Sequence, residues 1–288
     1  MLKPTLSTVA CPEAPIRDVA DYVERFGFEA VELRTFGTDS RRFACDPALS
    51  SENKTRLLFR SRGIEVLSIA TSCRFDATIF PPVMGHVFSD TERSVREAQS
   101  AIDLAVALEC PYVRVFGFEI AAREGALAAT ARIADRLRKV CDHADKTGAK
   151  VALENGGSFE TAGKLRDLIE QVNHPLLGAS YSIATGAAAG DDPVAAVATL
   201  GPRLWIGRIK DLRDGRPVSL GTGNVPCRAF VEALAGAGFD GPLVYEWDRA
   251  WFPDIAPATS ALEGVARTLV EWAGAGQPTA ATKRHAPR

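Results

Sequence analysis

Histidine is scarce in this chain: four in 288 residues, at His86, His143, His174 and His285. The six cysteines, Cys11, Cys45, Cys73, Cys110, Cys141 and Cys227, form no CxxC pair and no zinc-ribbon spacing, which excludes a cysteine-built metal module and leaves scattered reduced thiols as the expectation. Charge of one sign is not in excess either. With 34 basic and 36 acidic residues the net charge is −2, so no electrostatic footprint for nucleic acid or anionic lipid is present. No apolar run approaches the roughly 20 residues of a membrane span. The first residues, MLKPTLSTVACPEAP, lack the basic segment and apolar stretch of a secretory signal. Together these absences predict a cytoplasmic protein that engages neither nucleic acid nor membrane.

What the sequence does have is alternation. Short apolar runs rich in β-branched and aromatic residues fall at 5–9, 30–33, 65–69, 112–116, 151–154, 177–180, 204–210 and 243–247, reading as strands. Amphipathic stretches between and after them, at 16–26, 51–62, 90–108, 127–147, 161–171, 193–200, 228–235 and 259–273, read as helices. Gly27, Gly63 and Gly148 follow three of these, where a left-handed residue ends a helix, and Ser89 and Asp90 stand where a cap would start the third. Eight strand–helix units predict parallel strands joined by crossover helices, closed as a single (β/α)8 barrel over residues 1–273. A doubly wound open sheet is the alternative, but no GxGxxG follows the first strand. The loop at 71–88 is long enough to form a lid, and the Gly/Pro/Ala-rich tail at 274–288 is expected to be disordered.

Barrels of this kind place their chemistry at the C-terminal strand ends. Glu32, Glu154, Arg208 and Glu246 stand there, and a carboxylate closes two otherwise apolar strands, VALE and LVYE. Any one of them reads as a solvated rim residue; the repetition points to a site. Arg208 and Lys210 share a face of their strand because side chains alternate every second residue. A guanidinium there is placed to neutralise both Glu154 and Glu246. Glu32 and Arg34 read equally as a rim ion pair or as groups holding substrate hydroxyls. Ser182, Lys210 and Trp247 complete the candidate substrate contacts. Cys73 has no adjacent histidine to activate it, and the LGTGN turn at 220–224 is a weak phosphate signal.

The segments VALENG, IGRIKD, SLGTGNV, AGFDGPLVYEW and DRAWFP, with FEAVELR and CPYVRVFG in the first half, resemble the xylose-isomerase-like sugar phosphate isomerases and epimerases. The resemblance runs to about Ala273. It implies a barrel that binds one divalent metal through Glu, Asp, His and Glu, a sugar-like small-molecule substrate and a homodimer. Carried over residue by residue, the two glutamates fall on Glu154 and Glu246. The aspartate falls on Ser182, the ligand histidine on Arg208, and two further histidines on Thr185 and Phe252. The intervals between 154, 182, 208 and 246 are each of βα-unit length. Two of four ligands are therefore absent, which leaves a divalent Mn, Mg or Zn ion only Glu154 and Glu246 and predicts no resident cofactor.

The resulting expectation is an isomerase or epimerase moving a proton next to a carbonyl without a metal. Glu154 and Glu246 would be base and acid, and Arg208, with Lys210, the electrophile. A lyase or dehydratase on a keto-sugar or cyclitol, a non-catalytic ligand-binding barrel, and a metal enzyme using Glu154, Glu246 and either Asp211 or His86 remain open alternatives. A cluster of Arg208 with both glutamates would favour the first, and a collapsed apolar mouth the binding barrel.

Overall fold

The computed structural model describes residues 2–78 and 92–276. Eight parallel strands close a barrel: β1 (Lys3–Ser7), β2 (Ala30–Arg34), β3 (Glu65–Arg74), β4 (Tyr112–Phe116), β5 (Lys150–Glu154), β6 (Leu177–Ser182), β7 (Leu204–Ile209) and β10 (Pro242–Tyr245). Each strand pairs with its sequence neighbour in the barrel, and β10 returns to β1. The crossover helices are α1 (Ile16–Phe26), α2 (Glu52–Ser61), α3 (Arg93–Ala107), α4 (Ala126–Asp145), α5 (Ala162–Val172), α6 (Ile183–Ala188) with α7 (Pro193–Leu200), α8 (Cys227–Gly236), and α9 (Ala258–Ala261) with α10 (Val265–Gly276).

Local chemistry sets the helix ends. The Asp192 carboxylate accepts the Ala195 amide and Pro193 fills the first helical position of α7, while the Thr161 hydroxyl accepts the Lys164 amide at α5. Gly27 ends α1 at φ 75°, a left-handed conformation open to glycine. The region read as one helix from 259 is two, because Gly264 turns the chain at φ 74°. Residues 274–276, assigned to the tail, continue α10. Residues 277–288, the proposed caps Ser89 and Asp90, His86 and most of the 71–88 loop lie outside the described residues.

Between the sequence-predicted seventh and eighth strands the chain adds a hairpin, β8 (Asp211–Arg213) and β9 (Arg216–Val218). Its role is visible at Asp211. That buried carboxylate accepts the amides of Gly221 and Gly223 through Oδ2, at 2.9 and 2.8 Å, and of Val225 through Oδ1 at 3.2 Å. The amides of 221–224, considered for phosphate, are thus already bonded, and Asp211 is committed to the turn rather than to a metal.

The main core lies between barrel and helices and includes Leu6, Val31, Leu33, Ile69, Val113, Val115, Val151 and Leu153. Strand alternation sends the intervening residues into the lumen. At the bottom of the lumen Ala152, Ile206 and Val244 pack together with Tyr112 and Trp205. A register shift between Ala179 and Ser180 lets Trp205 lie over Gly178, where an added Cβ would fall 2.2 Å from the indole. The lumen is therefore plugged by apolar rings below. Its next layer upward is charged.

Candidate functional site

Two residues beyond Ala152, Ile206 and Val244 the same alternation places Glu154, Arg208 and Glu246, and β2 adds Glu32 from across the barrel. Arg208 is fully buried at the centre. Its Nη1 donates to Glu32 Oε2 at 2.7 Å, and its Nη2 donates to Glu32 Oε1 at 2.8 Å and to Glu246 Oε1. Its Nε lies 3.1 Å from Glu154 Oε2. The site candidates Glu32, Glu154, Arg208 and Glu246 thus converge on one guanidinium. Three of its N–H groups are bonded to carboxylates and the side chain is wholly buried, so it presents no face to a substrate oxygen as the expected electrophile would.

Arg114, in the middle of β4, joins the cluster with Nε 3.1 Å from Glu154 Oε2, Nη1 donating to the Thr71 carbonyl at 2.9 Å, and its guanidinium over the Phe116 ring. Neither contact to Glu154 Oε2 is aligned as a hydrogen bond, and that buried oxygen accepts none among the described residues. Glu32, by contrast, accepts two hydrogen bonds from Arg208 and one from Ser7 Oγ at 3.0 Å.

The carboxylates differ in proton affinity for this reason. Burial pushes Glu154 above its ordinary range; Arg208 and Arg114 oppose that without reversing it. Burial acts on Glu246 too, but Arg208 and Lys210 outweigh it and hold Glu246 well below the usual range. Glu32 is likewise held low, burial being outweighed by charge and hydrogen bonds from Arg208.

Above this layer sits a second one. Lys210 Nζ bonds Asp248 Oδ2 at 2.8 Å and lies 3.7 Å from Glu246 Oε2, with its side chain 23% exposed. Lys210 is held above its ordinary value because Glu246 and Asp248 outweigh the burial that lowers it, whereas burial pushes Asp248 up. Arg34 continues β2 into this layer. Ser182 is buried beside Arg208 in the strand register; its amide donates to Asn155 Oδ1 at 2.7 Å and its hydroxyl accepts a long contact from Thr185.

Other candidates fall elsewhere. Trp247, expected to touch substrate, lies on the outward-facing parity; its indole donates to the Ala256 carbonyl at 2.7 Å and it packs in the main core. Cys73 is buried, and burial raises its thiol, the reverse of an activated nucleophile. His143 pairs with Asp103 on the surface, and His174 precedes β6 at the far end of the barrel. Phe252 stacks under Arg216. A groove of about 560 Å3 lined by Arg56, Phe59 and Pro111 also lies at that far end, away from the charges.

Arg114 and Asp248 were not among the residues singled out from sequence. Each had a signal: Arg114 interrupts an apolar strand on the lumen parity, as Arg208 does, and Asp248 follows Glu246 by two.

The sequence model of the xylose isomerase-like TIM barrel matches residues 20–272. The chain belongs to that family. No curated protein sequence matches this xylose isomerase-like barrel. Its fold is similar to that of an L-ribulose 3-epimerase (TM-score 0.77, 18% identity, all of both chains covered). It is also similar to the protein IolI with a bound zinc atom (0.77, 17%, 95% of this chain and 99% of that one). A third is the probable 3-DHS dehydratase AsbF of Bacillus anthracis (0.75, 18%, 93% and 99%). At such identities the likeness is one of fold. No helix among the described residues is long and apolar enough to cross a membrane.

The divalent metal implied by the resemblance does not fit this lumen. A guanidinium stands where Glu32, Glu154 and Glu246 converge, and a second, Arg114, flanks it. A cation placed among them would meet two positive charges and carboxylates already engaged.

Proposed function

We propose that this barrel moves a proton next to the carbonyl of a sugar-like or hydroxy-ketone substrate, and that Arg208 supplies from within the chain the positive charge at the centre of the site. The observation that supports this reading is the division of the carboxylates around that guanidinium. Glu154 is raised and free of hydrogen bonds at Oε2; Glu246 is held ionised. Carboxylates pushed apart in one site are the pattern of proton-transfer chemistry.

The roles follow from position. Glu154 takes the proton from carbon as its carboxylate and returns it as its acid. Lys210, partly exposed, donates to the oxyanion that forms on the carbonyl oxygen. Glu246 and Asp248 fix Lys210. Inversion at carbon needs a second proton carrier on the opposite face, and Asp248, raised by burial, stands in the segment after β10, three strands around the barrel from β5 and Glu154. Loss of a β-hydroxyl would begin with the same abstraction, so the fold's similarity to both an epimerase and a dehydratase is compatible with one shared first step.

The test is solvent-deuterium incorporation into a panel of ketoses and hydroxy-keto acids, followed by NMR with chelator present. We expect exchange by the wild type and a loss of about 10²-fold or more in Glu154→Gln. No exchange across the panel would favour a binding barrel; exchange undiminished in Glu154→Gln would remove Glu154 from the reaction.

A further inference from the structure

The cations and carboxylates of the lumen do not pair off evenly. Glu32 is engaged by Arg208, Glu154 by Arg208 and Arg114, Glu246 by Arg208 and Lys210, and Asp248 by Lys210. Arg34 has no carboxylate partner among the described residues. It is nonetheless only 6% exposed. Its Nη1 donates to the Ala70 carbonyl at 3.0 Å and its Nη2 to the Ser72 hydroxyl at 2.7 Å. That accounts for two of a guanidinium's five N–H groups. The Phe36 and Trp251 rings lie 5.6 and 5.7 Å from its central carbon and fix the plane.

A desolvated guanidinium with neutral partners is costly, and burial, reinforced by Arg114, pulls its proton affinity down to about 9. Arg136 is also buried and has no carboxylate partner among the described residues, but it lies on α4, outside the barrel, and ties down the Phe75 and Ala77 carbonyls. Arg34 is on the lumen parity of β2, one step above Glu32 toward the mouth.

We infer that Arg34 is an anion-binding residue: the molecule that reacts at Glu154 carries a carboxylate or phosphate, which the guanidinium, held by Ala70, Ser72 and the two rings, receives at the barrel mouth. This rests on the proton-transfer reading for the location of the reacting carbon, while the anion contact is tested separately.

Two measurements separate the two ideas. In the first, inorganic phosphate, glycolate and the neutral control glycolaldehyde are titrated into wild type, Arg34→Gln and Arg34→Lys, followed by tryptophan fluorescence, since half-exposed Trp251 adjoins Arg34. Saturable binding of one of the two anions, weakened tenfold or more in Arg34→Gln and partly restored in Arg34→Lys, is expected; which anion binds identifies carboxylate or phosphate. Binding of neither, or binding unchanged in Arg34→Gln, overturns the inference. In the second, deuterium exchange is compared for matched neutral, carboxylate and phosphate ketoses. Arg34→Gln should raise KM for the anionic substrate at least tenfold more than for the neutral one. Equal use of all three by wild type refutes the anion site while leaving proton transfer intact. Folding of Arg34→Gln is checked by circular dichroism.

Discussion

Arg208 donates three hydrogen bonds to Glu32 and Glu246 and sets its Nε 3.1 Å from Glu154, so its removal would take the central positive charge from three carboxylates at once. Arg208→Met is expected to destabilise the barrel by about 3–5 kcal/mol, the range for breaking a buried ion pair from one side. Urea unfolding at neutral pH checks this, and a loss below about 1 kcal/mol would mean that the cluster adds little to stability. Arg208→Lys should recover part of the loss, because an ammonium keeps the charge but cannot span both Glu32 oxygens. Much of this residue's surroundings was legible in the sequence. Glu154, Arg208 and Glu246 were identifiable because a charged residue on the inward parity of an apolar strand has nowhere to go but the lumen. The primary partner, Glu32, read equally well as a rim residue, since a strand end does not reveal how far the barrel's stagger sinks it. Trp247 was misplaced because aromatic character near a site says less than parity does.

At the scale of the element, β6 and β7 carry a fitted contact. Trp205 lies over Gly178, leaving no room for a methyl group. Gly178→Ala should cost about 1–3 kcal/mol through overpacking. Adding Trp205→Leu should return part of that, a coupling measurable by a double-mutant cycle. If the two effects simply add, the contact is not the cause. This register shift was invisible in the sequence, where Gly178 is one small residue in a buried strand. Most strand and helix positions were legible to within a few residues, since periodicity and glycine stops are local signals; β3 instead runs on to Arg74, into the expected loop, and the short helix α6 was not expected. The hairpin β8–β9 was not, because its strands are short and the turn after it is held by Asp211, a partner ten or more residues away. The break at Gly264 was missed because the apolar pattern runs through it.

For the whole molecule the buried charges set a pH dependence of opposite signs. Glu32 and Glu246 bind protons less readily folded than unfolded, so their stabilisation is present above about pH 4.3, the unfolded value, and fades as pH falls through their depressed folded values. Glu154 is raised, so the stability it contributes is present at low pH and is lost as pH rises through its folded value. Unfolding free energy should therefore fall steeply on acidification below about pH 4. The Glu154→Gln variant should gain on wild type as pH rises from about 4 toward 8. Denaturant titrations over that range give both slopes, and parallel wild-type and variant curves would contradict the raised proton affinity of Glu154.

Glu32 and Arg208 stand 176 residues apart and meet only when the two halves of the barrel come together. Until that closure Arg208 and Glu32 each face the lumen without the other. An incomplete barrel, whether a nascent chain halted before β7 or a proteolytic half, would hold charges it can neither hydrate fully nor pair. The cluster thus acts as a gauge of completeness. It favours the ring with all its strands in register over partial assemblies, because only there does Arg208 meet Glu32, Glu154 and Glu246 together.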